Sequence, residues 1–138
     1  MTDRLAHIVR EAARAYTRDL TARLAREGVS FGNWTFLRIL WEKDGLTQRE
    51  LSDQAGVMEP TTAAALKAMT ELGYVERRRQ DGDRRNLYVY LTPEGRALRR
   101  KLEPLAVEVN RAAVRNVPAA DVAACRRALT AILANLKP

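Results

Sequence analysis

YVERRRQDGDRRNLYVYLT, residues Tyr74 to Thr92, is the stretch on which the reading of this chain turns. Two runs suited to β-strand, about 74–79 and 86–91, flank a tip that carries Asp81, Gly82, Asp83, Arg84 and Arg85. Alternation puts Val75 on one face with Val89 and Leu91, and Tyr88 and Tyr90 on the other. A two-stranded ribbon ending in arginines can probe a nucleic-acid groove, and it can equally be a solvated basic hairpin. What lies before it separates the two.

Immediately upstream, Thr47-Gln48-Arg49-Glu50 matches a capping box, in which the Thr hydroxyl and the Glu carboxylate satisfy each other's backbone amides. It predicts a short helix, about 47–55, with Leu51 and Ala55 inward and Gly56 as its break. Pro60 suits the first turn of a following helix, where its missing N–H costs nothing. That helix extends to about Leu72 on an apolar stripe of Ala65, Leu66, Met69 and Leu72, and Gly73 stops it. Further back, Leu5, Ile8, Val9, Ala12, Tyr16 and Leu20 predict a helix over 3–27, with Thr2 or Asp3 as cap and Gly28 as stop. Ser30 caps a second helix, about 31–43, whose apolar face holds Trp34, Leu37, Ile39, Leu40 and Trp41. Asp44-Gly45 ends it.

Downstream of the ribbon, Thr92-Pro93-Glu94 starts a long helix, about 93–116. Leu98, Leu102, Leu105, Val109 and Ala112 alternate steps of four and three along it, a heptad-like seam. Pro104 inside it removes one backbone bond and should kink it. After Pro118, Val122, Cys125, Leu129, Ile132, Leu133 and Leu136 predict a last helix, about 119–136. Short helices meeting at a tight turn, followed by a hairpin, make a winged helix-turn-helix. The chain therefore reads as a mainly α single domain, 1–138, with a small β-hairpin and a DNA-reading region at 31–92. The helices at 1–28 and 93–138 carry more apolar stripe than one module can cover, which predicts a homodimer built on them.

Composition narrows the function. The chain has 138 residues, 46% of them hydrophobic, and a formal charge of +7, which favours a polyanionic partner. No apolar run approaches the roughly 20 residues that span a bilayer, and no secretory signal opens the chain, so no membrane partner and a cytoplasmic location are expected. Cys125 is alone, which excludes an intrachain disulfide. No nucleophile–base set, paired-carboxylate cluster or phosphate-cradling Gly loop is present, so an enzyme is not expected. Neither a cofactor nor a metal is expected, because the single His lacks companions at ligand spacing.

At this point the chain resembles the MarR family (multiple antibiotic resistance regulators) over nearly its whole length. The specific elements are LTQRELSDQAGV, the helix ending ELGYVER, and DGDRRNLYVYLTPEGRAL, in that order and at the family's spacing. The resemblance implies a dimeric winged helix-turn-helix protein and ligand-responsive repression, with the ligand near the junction of the DNA-binding and dimerisation regions. It also implies that Arg85 reaches into the minor groove. Asp83 takes the position of an acid that steadies the wing, with Arg77 as its natural partner here.

The residues of the helix from Pro60 that face away from the stripe are Thr61, Ala63, Ala64 and Lys67. Thr hydroxyls can meet base edges or phosphates, methyl groups can touch thymine, and Lys67 can reach a phosphate or a guanine. Relatives often carry Arg at the position of Ala64, so direct readout is thin here. Specificity is expected to lean on Thr61, Thr62, thymine contacts, the wing and DNA shape. Thr61 and Thr62 have the simpler alternative of merely starting a helix. Thr47, Gln48 and Arg49 offer phosphate contacts at a helix start, and Arg84 a further one. For an effector, the plainest demand is an aromatic slot with a cationic end. His7, Arg10, Arg14, Tyr16, Trp34, Arg38 and Trp41 are the candidates for it. Core packing for each Trp, and an interface or surface place for His7, are the competing readings. Cys125, on an apolar stripe, is expected to pack rather than sense oxidants, although Arg126 and Arg127 could lower its pKa if they share its face.

The function that follows is a transcriptional regulator that binds a pseudopalindromic operator in double-stranded DNA. It is expected to act as a repressor released by a small aromatic acid or thioester. The alternative is an architectural or protein-interaction winged helix without a small-molecule effector.

Overall fold

The computed structural model describes residues 4–138, so the predicted cap at Thr2 or Asp3 lies outside the described residues. Six helices and one antiparallel sheet follow in the order α1 (Arg4–Ala25), α2 (Phe31–Glu42), β1 (Leu46–Thr47), α3 (Gln48–Ala55), α4 (Glu59–Glu71), β2 (Val75–Gln80), β3 (Asp83–Leu91), α5 (Pro93–Ala113) and α6 (Ala119–Asn135). The start signals act as expected. Ser30 accepts from the Asn33 amide at 3.0 Å, and Thr92 from the Gly95 amide at 3.1 Å. Helix α5 runs through Pro104 without ending.

The sheet has the order β1-β3-β2. Strand β1 is an addition to the expected hairpin: Leu46 stands opposite Val89 and Thr47 opposite Tyr88. Its two residues are too few to show a period, yet they carry Leu46 into the core and fix where α3 begins. In the hairpin, Val75 pairs with Leu91 and Arg77 with Val89, which sets Val75, Val89 and Leu91 on the buried face. The ladder closes at Gln80 and Asp83 around Asp81-Gly82, nearer the tip than the expected strand ends. Gly82 takes the left-handed conformation there, with φ 80°.

One apolar core joins α2, α3, α4, the sheet and the first half of α5, through Leu37, Leu40, Leu46, Leu51, Leu66, Met69, Val75, Val89 and Leu102. Phe36 belongs to it as well, although it falls off the face predicted for α2. Leu72 departs from its predicted stripe and is 54% exposed. It is the C-cap residue of α4, and the chain turns away at Gly73 before its side chain can reach the core. Helix α6 contributes no buried residue; Leu133 is 72% exposed and Leu136 78%. Cys125 is exposed too, so within this chain it does not pack as expected. Helix α1 is pinned to α5 by Arg23, which bonds Glu108 at 2.9 Å and Asp19 at 3.3 Å. No helix among the described residues is long and apolar enough to cross a membrane.

The wing returns to the helices at a crowded junction. The Tyr74 carbonyl accepts from the Thr92 amide at 3.0 Å, and the Thr92 hydroxyl donates to the Gly73 carbonyl at 2.6 Å. Trp41 Nε1 donates to the Gly95 carbonyl at 2.9 Å. Asp44 Oδ1 accepts from the Leu91 amide at 2.9 Å, holding the end of β3 to the end of α2. Gly95 is required here because a Cβ would lie 2.1 Å from the Tyr74 oxygen, which is backbone and cannot swing aside. Gly95→Ala is expected to lower stability by about 1–3 kcal/mol through overpacking, read as a lower denaturant midpoint at unchanged slope. A midpoint equal to that of the parent chain would show that the junction can relax.

Candidate nucleic-acid interface

The capping box at the start of α3 is complete. The Glu50 amide donates to Thr47 Oγ1 at 3.1 Å, and the Thr47 amide to Glu50 Oε1 at 3.0 Å. That Thr47 backbone bond is the main reason the Glu50 carboxyl sits below its ordinary pKa. Helix α3 thus starts at one defined place, with Arg49 exposed on its first turn.

Helices α3 and α4 are joined through a buried polar pair. The Ser52 hydroxyl donates to Thr62 Oγ1 at 2.6 Å, and both side chains are buried. This corrects the expectation that Thr62 contacts DNA. Thr62 lies one helical turn before Leu66 on the inward face, so its hydroxyl holds the helix pair together instead. Pro60, Thr61, Ala64 and Lys67 are exposed, and Ala63 is half-buried. Glu59 opens the helix after Met58, whose side chain makes no cap bond.

The wing is organised by Asp83. Its carboxylate accepts from the Arg85 amide at 3.0 Å, the Asn86 amide at 3.2 Å, Asn86 Nδ2 at 3.3 Å and the Tyr88 hydroxyl at 2.6 Å. These donors, Tyr88 first, hold its pKa at about 2, and the bond to Asp83 in turn raises that of Tyr88. The expected brace between Asp83 and Arg77 is therefore corrected. Arg77 stands across from Val89, several residues below the tip, while Asp83 is saturated by its own turn. Arg78 lies over the Tyr90 ring at 3.9 Å and bonds Glu76 at 3.0 Å. The Arg79 guanidinium donates to the Arg84 carbonyl. Arg84 and Arg85 are exposed at the tip.

These elements enclose an open groove of about 370 Å³ between the starts of α3 and α4 and the wing. Thr47, Gln48, Arg49, Glu59, Arg77, Arg79, Arg85 and Asn86 line it. Arg77 also borders a second hollow with Ala63, Lys67 and Thr70 on α4. Arg49, Arg77, Arg79, Arg85 and Lys67 thereby share one side of the molecule, a cationic surface matched to a phosphate backbone. Of Arg78 and Arg79, which alternate faces of the strand, it is Arg79 that joins the groove, on the face of Arg77 two residues along.

The family model described as MarR family matches residues 30–87, which takes in α2, the helix-turn-helix and most of the wing. The chain superposes on the crystal structure of a MarR transcriptional regulator from Methanosarcina mazei Go1 with a TM-score of 0.87, at 25% identity over 96% of each chain. It is 30% identical over 105 residues to the HTH-type transcriptional regulator TtmR of Methylorubrum extorquens (strain PA1), covering 76% of this chain and 54% of that protein. The chain belongs to the MarR family. It is also 34% identical over 89 residues to the homoprotocatechuate degradative operon repressor of Escherichia coli, covering 64% of this chain and 58% of that protein. The chain thus spans a little over half the length of these two curated relatives. Both are regulators of transcription and not enzymes.

The effector candidates of this MarR chain divide. Tyr16 and Trp34 come together in a cleft of about 220 Å³ between α1, α2 and α5. Trp34, Arg38 and Trp41 line an adjoining one of about 380 Å³ with Arg99 and Glu103. Trp34 is buried, and the two indoles meet edge to face at 5.7 Å, so packing and cleft lining coincide. His7, Arg10 and Arg14 line neither cleft; His7 and Arg14 approach Glu11 on the exposed face of α1, at 3.8 and 3.1 Å. Arg99 was missed because it reads as one more charge on α5. It bonds Glu103, Glu42 at 3.0 Å and the Trp41 carbonyl at 3.3 Å, and the Glu103 bond raises its pKa. No group of three or more His, Cys, Asp or Glu suited to a metal occurs among the described residues.

The Asp83 cluster gives a pH signature. A folded pKa of about 2, against an ordinary 3.8, means that the turn's stabilisation is complete above pH 3.8 and is lost as pH falls through about 2. In a carbon NMR titration the Asp83 carboxyl is expected to have its midpoint near 2. Tyr88→Phe should move the midpoint upward and Arg77→Ala should leave it in place. An upward move on Arg77→Ala would restore the Arg77 brace.

Proposed function

We propose that this MarR-family chain is a sequence-specific DNA-binding regulator that acts as a repressor on a pseudopalindromic operator. The observation that carries the reading is the groove in which Arg49, Arg77, Arg79 and Arg85 converge beside the starts of α3 and α4. Helix α4 enters the major groove, the wing tip with Arg85 and Arg84 follows the adjacent minor groove, and the groove between them takes the phosphates. Pro60, Thr61, Ala64 and Lys67 form the reading face of α4, with Thr47, Gln48 and Arg49 at the backbone. Kinship with the homoprotocatechuate operon repressor supports the negative sign of control.

The active species is a homodimer, which the exposed apolar side chains of α1 and α6, among them Ile8, Leu133 and Leu136, support. A dimer spaces two copies of α4 to meet successive major grooves, roughly 34–36 Å apart. The Tyr16–Trp34 cleft lies where α1, α2 and α5 meet, and the Trp34–Arg38 cleft lies between α2 and α5, beside the junction with the reading region. They suit a small aromatic acid or its thioester, with Arg38 as the cationic end. The ligand releases DNA by favouring the dimer geometry that misses this spacing. A cytoplasmic location is part of the same reading.

On the operator, Arg85→Ala is expected to weaken binding by about 1–3 kcal/mol and to reduce the salt slope by about 1. Operator affinity that does not change would remove Arg85 from the interface. Aromatic acids screened by thermal shift are expected to yield a compound that raises Tm and also releases DNA. A screen in which no compound does both would favour a winged helix without an effector.

A further inference from the structure

We infer that Glu59 is a specificity-determining residue that accepts a hydrogen bond from the amino group of a cytosine in each operator half-site. The inference rests on the DNA-binding reading above and assigns a role to a residue on the same face. Glu59 is the first residue of α4, and the N-terminal residues of a recognition helix are those that reach base edges. It is exposed and lines the same groove as Arg49, Arg77 and Arg85. Among the described residues it enters no ion pair, although those arginines surround the groove.

A carboxylate on a surface shaped for phosphate weakens non-specific attraction, and the modest gain it makes at the helix N-terminus does not call for a place in the groove. Base readout does. An ionised carboxylate is acceptor-only, and in the major groove the cytosine N4 amino group offers it a donor. The rest of the reading face helps. Thr61 and Ala64 are short, so α4 can lie close to the base edges, and Glu59 and Lys67 are the long polar side chains left to span the remaining distance. Capping does not occupy Glu59 either: the Thr61 and Thr62 amides both bond the Met58 carbonyl, at 3.0 and 3.3 Å.

The test is selection of duplexes from a randomised library by the full-length protein, alongside Glu59→Gln and Glu59→Ala. Because Glu59 is exposed, both variants are expected to unfold at the temperature of the parent chain. The parent should enrich sites with cytosine at one fixed position of each half. Glu59→Gln should move that preference toward adenine, which glutamine recognises through N6 and N7. Glu59→Ala should lose about 5- to 100-fold of discrimination at that position and bind unrelated duplex more tightly. If all three proteins enrich the same sites, Glu59 reads no base and the inference is overturned. If the parent enriches no site at all, the DNA-binding reading beneath it falls instead.

Discussion

The close approach of Gly95 to the Tyr74 carbonyl is the constraint on which the reading surface depends. At that one point the end of α4, the base of β2, the end of β3 and the start of α5 meet, with the Tyr74 backbone and the Leu91 side chain both against Gly95. The absence of a Cβ lets the Thr92 amide reach Tyr74 and leaves the Gly95 carbonyl open to the Trp41 indole. Thr92 then serves twice, donating to Gly73 and accepting from the Gly95 amide. Each bond contributes only about 1 kcal/mol net, but together they fix directions as well as energies. A tilt of α5 has to carry the wing base with it, because the alternative is to break these bonds in a half-buried place. The Arg99 contacts to Glu42 and to the Trp41 carbonyl tie the same helix to α2. A displacement of α5 at the clefts it forms with α1 and α2 would therefore reach the wing base through packed backbone rather than a flexible linker.

The arginines of the wing divide by what already holds them. Arg78 is occupied by Tyr90 and Glu76, and Arg79 by the Arg84 carbonyl. Both stiffen the ribbon, and Arg79 does so from the groove side. Among the described residues the side chains of Arg77, Arg84 and Arg85 make no such bond. The tip that carries the last two is set by an acid with four donors, so Arg85 extends from a backbone that is already ordered. Ordering before contact reduces the entropy lost on binding, which matters in a protein whose recognition helix offers short side chains.

Sequence legibility followed the range of the forces involved. Capping at Ser30, Thr47 and Thr92, and the stops at Gly56 and Gly73, depend on neighbours three or four residues away, and they were readable in the chain. Strand β1 was not, because two residues have no period and Leu46 is strand only by virtue of Val89, far along the sequence. Thr62 was misread because a threonine in the first turn of a recognition helix suits a base edge as well as it suits a buried partner; only the position of Ser52 decides. Asp83 was paired with Arg77 on the family resemblance, whereas hydroxyl and amide donors within five residues are the ones that reach it. The effector candidates fared unevenly for the same reason. Aromatic residues on α1 and α2 could be placed on a face, but which cations joined them depended on α5, whose Arg99 carried no local signal.

Helix α6 makes the case for a second chain in physical terms. A helix of 17 residues with no fully buried side chain gains little from the rest of the chain, and short helices in water are marginal by themselves. Leu129 and Leu133 on α6, Leu136 at its C-cap, and Leu5, Ile8 and Val9 on α1 are all exposed. Apolar burial is worth about 25 cal/mol per Å², so covering such side chains would supply the stabilisation that the isolated helix lacks. A second chain seated there would account for the apolar setting of Cys125 in the sequence and its exposure in a single chain. The cover that stabilises α6 would also set the distance between two wings. Stability and DNA geometry would thus rest on the same surface, and a ligand that repacks α1 against α5 could act on the second without abolishing the first.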